Sequence, residues 1–309
     1  MVFSQSEGVV MVDQNQFNQI DKQDKLMKAN RRSFLKRTSA GVLGVGALSF
    51  PSLAEAATTE EKADFLKPDL KLGVASYTLR EFTREKALDM TLRCGLKRMT
   101  LKSMHLPLDS GAHTIKSAVA ECKEKGVDFY GAGVIYMKSN AQVDQAFEYA
   151  KMAELDMIVG VPSHSLLDYV EEKVKAYNIK LAIHNHGPGD KVFPSAESAY
   201  LKIKDRDRRM GLCLDIGHTQ RIKRDPSGDV TEFFDRVFDI HLKDVTAAEH
   251  DGKTCIIGRG VIDFPAFLKT VSKLNYKGTL ALEYEAEGDD PLPGMMESIG
   301  YVKGILATL

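Results

Sequence analysis

The chain has 309 residues, of which 43% are hydrophobic and 28% charged, with a formal net charge of -1. That length and apolar content can bury a full core, as one large domain or two small ones. The balanced, interspersed charge gives no pull toward nucleic acid or an anionic membrane surface, and it leaves short charge runs as solvated surface.

The first segment does not read as part of a fold. Met1 to Leu26 is polar, and Met27-Lys28 would be a natural start. Asn30-Arg31-Arg32-Ser33-Phe34-Leu35-Lys36 is a twin-arginine pattern, followed by an apolar Gly- and Ala-rich stretch from Ala40 to Leu53. Ala54-Glu55-Ala56 then fits a small-x-small cleavage site. Residues 1–56 are therefore expected to be an extension plus twin-arginine signal peptide, 57–70 a linker, and 71–309 the folded domain. This reading implies an exported, periplasmic protein. A stable membrane anchor is the rival reading, but the run is short and Gly-rich for a spanning helix.

Strand and helix patterns then alternate to the end. Leu72–Tyr77 is an expected strand, with a helix from Thr83 to near Gly95. Strands are expected at 98–102, 127–135, 157–161, 180–184, 210–215, 237–243 and 279–284. Helices are expected at 112–125, 140–155, 165–177, 195–204, 229–236, 264–274 and 292–306. Eight such units imply a parallel sheet with helices outside, and in this length they favour a single-domain α/β fold, the (β/α)8 TIM barrel. No G-x-G-x-x-G opens the first helix, which disfavours a dinucleotide fold. Cys94, Cys122, Cys213 and Cys255 show no C-x-x-C spacing and read as free, buried thiols.

In a parallel barrel the site lies at the C-terminal strand ends. Strand five ends in LAIHNHG (Leu181 to Gly187), strand six in CLDIGH (Cys213 to His218) and strand seven in DIHLKD (Asp239 to Asp244). Strand eight ends in LALEYEAEG (Leu280 to Gly288), and strand two in TLKSMH (Thr100 to His105). His184, Asp215, His241 and Glu283 each stand at the same apolar-to-polar boundary. A lone histidine there is usually a hydrogen-bonded core residue, whereas a lone buried carboxylate is costly unless paired or bound to a cation. Four in register on adjacent strands point to one divalent metal. A mixed imidazole and carboxylate set suits Mn, Co, Zn, Fe, Ni or Mg.

These motifs, with IGRG (Ile257 to Gly260), resemble the xylose-isomerase-like (β/α)8 superfamily of sugar phosphate isomerases and epimerases, from Lys71 to the C-terminus. The resemblance implies Asp215, His241 and Glu283 as metal ligands, with His184 in the remaining slot. It also implies His218 as a substrate-binding histidine and Arg259 as a basic group near the substrate. It further implies a homo-oligomer, dimer or tetramer, although nothing in the helices specifies an interface. One departure matters. Ketose epimerases of the family carry glutamate at the strand-five position and work with two glutamates on opposite faces of the substrate carbon. Here His184 replaces one of them: a β-elimination, dehydration or one-face isomerisation needs only one base and an acid, whereas epimerisation would need His186 or His218 as the second group.

The expected chemistry is proton abstraction α to the carbonyl of a small-molecule carbohydrate. Glu283 is the expected base, with Glu285 nearby. His186, His218 and Lys102 would hold hydroxyls or act as acid, and Lys243 would face the substrate or serve as an ion-pair partner. His105 and His164 lie in loops at the same end, where a surface role or a substrate contact is expected. The acidic loop Glu285-Ala286-Glu287-Gly288-Asp289-Asp290 argues against a phosphorylated substrate, since a barrel phosphate site usually lies beyond strands seven and eight. A lyase acting on keto-glycosides and a non-catalytic carbohydrate-binding protein are the alternatives. An apurinic endonuclease would need a basic stripe that is missing, so nucleic acid is not an expected partner.

Overall fold

A computed structural model of the chain describes residues 70–309. The expected signal peptide, its cleavage site and the linker lie outside the described residues. Eight parallel strands close into a barrel: β1 (Lys71–Ala75), β2 (Arg98–Leu101), β3 (Asp128–Met137), β4 (Met157–Pro162), β5 (Lys180–His184), β6 (Met210–Asp215), β7 (Val237–Leu242) and β8 (Thr279–Leu282). Each strand pairs with its sequence neighbours, and β1 closes on β8.

Nine α-helices are described: α1 (Arg84–Arg93), α2 (Ala112–Glu124), α3 (Asn140–Met152), α4 (Leu167–Tyr177), α5 (Ala196–Ile203), α6 (Ile216–Arg221), α7 (Pro226–Glu232), α8 (Phe264–Lys273) and α9 (Leu292–Leu306). Helix α8 shows how the sequence builds them. Asp263 caps it by accepting the Ala266 N–H at 2.9 Å. Phe264, Phe267, Leu268 and Val271 then recur at helical spacing and are buried. Each such side chain stabilises by about 1.5–3 kcal/mol.

The structure departs from the sequence reading mainly between β6 and β7. Helix α6 was not foreseen: it starts directly after Asp215, because that carboxylate caps it. The helix expected at 229–236 is α7, placed earlier by the Asp225 cap and by Pro226 at its first position. Strand β3 runs to Met137 rather than stopping at Ile135, and the end expected for β1 is a 3-10 turn, Ser76–Leu79. Cys94, Cys122 and Cys213 are buried free thiols as expected, whereas Cys255 is half-buried.

Register sets the site. Asp215 lies opposite His241, and His184 opposite Cys213. Inward alternation on β7 puts Asp239, His241 and Lys243 on one side of the chain. The Glu283 N–H continues the ladder by donating to the Leu242 carbonyl at 3.0 Å.

Away from the site, one buried side chain carries much of the loop architecture. The Arg236 guanidinium donates to the carbonyls of Lys204, Arg206, Asp207 and Met210 at 2.8–3.0 Å, stapling the connection from α5 into β6. Arg236→Met is expected to leave these carbonyls unpaired and to lower stability by about 3 kcal/mol. Urea unfolding checks this; a midpoint unchanged from the wild type would contradict it.

Candidate metal centre

Asn185 explains how two neighbouring strands are held at the site. Its Nδ2 donates to the Asp215 carbonyl at 3.1 Å, and its Oδ1 accepts the Asp215 N–H at 2.9 Å. The side chain therefore clamps the end of β6, leaving His184 and His186 on the opposite parity to face the barrel mouth. Asp215 is divided between two tasks. Its Oδ1 accepts the His218 N–H at 2.8 Å, which caps α6, while Oδ2 points into the barrel. Glu283 is fixed from the other side. Thr78 donates its hydroxyl to the Leu282 carbonyl at 3.1 Å and accepts the Tyr284 N–H at 3.0 Å.

The four expected ligands converge. His184, Asp215, His241 and Glu283 are buried, and each offers a donor atom within 4.8 Å of the others. His184 Nε2 lies 3.1 Å from His241 Nδ1, 3.5 Å from Asp215 Oδ2 and 3.9 Å from Glu283 Oε2. His241 Nδ1 is 3.2 Å from Glu283 Oε2. A cation held by bonds of about 2.1 Å places adjacent donors roughly 3.0–3.4 Å apart, so the set needs little adjustment to hold one. Asp215 Oδ2 is buried, with the Lys243 ammonium 2.9 Å away. Beneath the site, His241 Nε2 faces Asp239 Oδ2 at 3.8 Å, leaving Nδ1 for the cluster. Asp239 in turn accepts from the Tyr130 hydroxyl at 3.3 Å. Cys213 could join His184 and His241 geometrically. Burial pushes its thiol well above the ordinary range, however, so binding through sulfur would cost a deprotonation that the ionised carboxylates avoid.

Lys243 balances the charge. Its ammonium lies 2.9 Å from both Asp215 Oδ2 and Glu283 Oε2, and it also pairs with Glu285. Burial disfavours the ammonium, but these three carboxylates outweigh burial and hold it well above the usual lysine range. Burial likewise opposes ionised Glu283, yet Lys243 and His241 keep its carboxyl well below the usual range. Gly217 lets the lysine stem pass, since a Cβ there would meet Lys243 Cγ at 2.6 Å. Three carboxylates against one ammonium leave a deficit of positive charge. Burial opposes protonation of His241, but Glu283, Asp239 and Asp215 outweigh it and raise its proton affinity, and a divalent cation would take the place of that proton.

Around this core stand other expected residues. His186 lies beside His184 with ring centroids 4.5 Å apart, and His218 is 6.0 Å from each of them. Burial lowers the pKa of His184 and of His186 to about 4 and that of His218 to about 3, so all three rings are neutral near pH 7. Lys102 is half-buried with its ammonium 4.2 Å from the Tyr77 ring centroid. Burial lowers its proton affinity, partly offset by Glu283 and Glu285. Glu285 stands at the rim, its side chain 34% exposed.

Two expectations fail. His105 is buried rather than on the surface, with its ring nitrogens 3.0 Å from Ser76 Oγ and 3.1 Å from the Leu79 carbonyl. Its hydrogen-bonding capacity is spent within the fold. Arg259 turns outward to Glu297, its side chain 62% exposed. The IGRG stretch serves Asp244 instead, whose Oδ2 accepts the Gly258 and Gly260 N–H groups at 2.9 and 3.0 Å. His164 is on the surface, bonded to the Val192 carbonyl at 2.8 Å.

The sequence reading missed Tyr136, whose hydroxyl lies 2.7 Å from His186 Nε2 and whose ring stacks on it. The signal was there, because the apolar run GVIYM does not stop at Ile135. It also missed Asp239, which strand alternation places beside His241, and Arg221, discussed below.

A model of the xylose isomerase-like TIM barrel matches residues 132–305, more than half of the chain. The chain belongs to that family. Within the xylose isomerase-like TIM barrels, it is 26% identical over 145 residues to the rhizopine catabolism protein MocC of Rhizobium meliloti, covering 42% of this chain and 44% of that protein. It is 26% identical over 151 residues to the inosose dehydratase of Lactiplantibacillus plantarum, covering 44% and 50% respectively. The chain thus matches about half the length of these relatives. The solved 3-keto-D-glucoside 4-epimerase of E. coli shares the fold, with a TM-score of 0.64 at 14% identity over 76% of this chain and 99% of that one.

Two outcomes follow for metal titration of the stripped protein. Asp215→Asn and His241→Ala are each expected to weaken divalent binding at least about 100-fold. Lys243→Met should destabilise the metal-free protein by about 3 kcal/mol, by leaving carboxylates uncompensated. It should also bind Mn(II) more tightly than the wild type; weaker binding would mean that the ammonium holds the carboxylates in place for the ion.

Proposed function

We propose that this xylose isomerase-like protein is a metal-dependent carbohydrate enzyme of the isomerase/epimerase type, removing a proton α to the carbonyl of a non-phosphorylated substrate. The observation that carries the proposal is the convergence of His184, Asp215, His241 and Glu283 at one end of the barrel, with Lys102, His186, His218 and Glu285 around them. His184, Asp215, His241 and Glu283 would hold a divalent ion, which would polarise the carbonyl and stabilise the negative charge developing on its oxygen.

The chain's own groups divide the remaining work. Glu283 is the base at the substrate carbon. Lys243 and His241 hold it ionised, so it is always ready to accept a proton; the same stabilisation makes it weak, and it can deprotonate only an acidified carbon. His186 and His218, neutral near pH 7, orient hydroxyls by hydrogen bonding. The acidic loop from Glu285 to Asp290 disfavours a phosphate group at the mouth.

A second reading, β-elimination, is supported by His184. A neutral imidazole stands 3.9 Å from Glu283 where a second carboxylate base would be needed for inversion. One base plus an acid for the departing oxygen is enough for elimination, and Lys102, whose proton affinity burial lowers, would supply that acid. The similarity to an inosose dehydratase supports the same reading. Export through the twin-arginine route is a further proposal, supported by the Arg31-Arg32 pattern, the apolar stretch from Ala40 to Leu53 and the Ala54-Glu55-Ala56 site.

Incubation with keto-sugars and 3-keto-glycosides in D2O tests both readings. Deuterium entering an α-carbon without loss of a substituent indicates isomerisation, whereas loss of water or an aglycone indicates elimination. Glu283→Gln should slow either by at least about 100-fold. Wild-type exchange that survives this substitution would remove Glu283 as the base.

A further inference from the structure

His218 is bonded by a group that the functional reading does not use. Arg221 lies three residues further along α6, and its Nη1 is 3.3 Å from His218 Nδ1. A guanidinium has N–H donors and no acceptor, and it stays charged in proteins. In this bond, Nδ1 must therefore be the acceptor. A neutral imidazole that accepts at Nδ1 carries its hydrogen on Nε2. That second nitrogen is the one turned toward the cluster, 3.9 Å from Asp215 Oδ2.

We propose that Arg221 is a positioning residue that fixes His218 in its Nε2–H tautomer, so that the ring presents a hydrogen-bond donor to a substrate oxygen at the candidate centre. The use of that donor on a substrate rests on the functional reading above; the tautomer itself does not.

Arg221 is well placed to act in this way because it cannot easily turn aside. Its Nε and Nη2 both donate to the His250 carbonyl, at 3.1 and 2.6 Å, so the far edge of the guanidinium is held by the backbone of the loop after β7. The ring is packed on its other side too. Gly187 adopts φ +76°, and a Cβ there would lie 3.1 Å from His218 Nδ1. Asp215 Oδ2 lies beyond hydrogen-bond length from Nε2, so it cannot itself lock the tautomer. Nε2 thus remains available to a ligand. The charged and titratable groups around the ring are Asp215, Glu283, Lys243, His184 and His186.

Long-range 1H–15N NMR of the histidine-labelled, Zn(II)-loaded full chain tests the proposal, with His218 assigned by a His218→Asn variant. In the wild type, Nδ1 should show the unprotonated signature and Nε2 the protonated one. Arg221→Met should give a mixture of tautomers, and Arg221→Lys, which keeps a donor, should restore the single form. A wild-type His218 protonated on Nδ1 would overturn the proposal without any variant, and so would an Arg221→Met spectrum identical to the wild type. With a substrate that exchanges in D2O, Arg221→Met should lose roughly tenfold in kcat with metal content and KM nearly unchanged. A folded variant with wild-type kcat would overturn the catalytic use of the tautomer. Absence of exchange in the wild type would instead sink the functional reading, while the spectrum would still decide the tautomer.

Discussion

Three carboxylates and one ammonium share the mouth of this barrel, and their mutual attraction is the constraint on which the rest of the site depends. Asp215, Glu283 and Lys243 are almost fully buried, and Glu285 closes the group at the rim. Charges this deep are tolerated only when paired, because the desolvation of each one costs several kcal/mol. Lys243 supplies one pairing and leaves a deficit of positive charge. That deficit, set beside the imidazoles of His184 and His241, is what gives the cluster its fit to a divalent cation. A barrel with apolar residues at these positions would be easier to stabilise, so the group is hard to explain as packing alone.

The supporting groups are backbone devices as much as side-chain contacts. Asn185 brackets the Asp215 peptide, Thr78 brackets the peptide of Glu283, and Gly217 opens a path for the Lys243 stem. Asp215 joins two levels of structure, since one oxygen starts α6 and the other enters the cluster. The helix that carries His218 and Arg221 is therefore tied to a carboxylate of the candidate metal centre, and a change at Asp215 is expected to move both metal affinity and the histidine. The chain belongs to the xylose isomerase-like TIM barrels and shares its fold with a 3-keto-D-glucoside 4-epimerase. In the proposed function, the imidazole of His184 is the feature that favours a one-base reaction.

Much of this was legible in the sequence. Parallel strands buried on both faces read as apolar runs, and a polar residue that ends such a run is conspicuous, which is why His184, Asp215, His241 and Glu283 could be picked out together. Helices with a clear cap and stripe, such as α8, were equally plain. What escaped was local or spatially distant. Helix α6 is six residues long, too short for a periodic signal, and it exists because Asp215 caps it. His105 and Arg259 were misplaced because a polar residue in a loop at the correct end of a barrel has no periodicity to show where it points. His105 turned to Ser76 and Leu79, and Arg259 to Glu297. Arg221 resembled a solvated charge, and only its distance to His218 gives it a role.

Diffraction from Mn(II)-soaked crystals, with anomalous data collected near the manganese edge, tests the central claim most directly. The account predicts a single strong peak enclosed by His184 Nε2, Asp215 Oδ2, His241 Nδ1 and Glu283 Oε2, with the Lys243 ammonium displaced toward Glu285. No peak in the barrel, or one held by other residues while the Lys243 ammonium keeps both ligand carboxylates, would contradict it. The cluster would then be a closed structural ion-pair network.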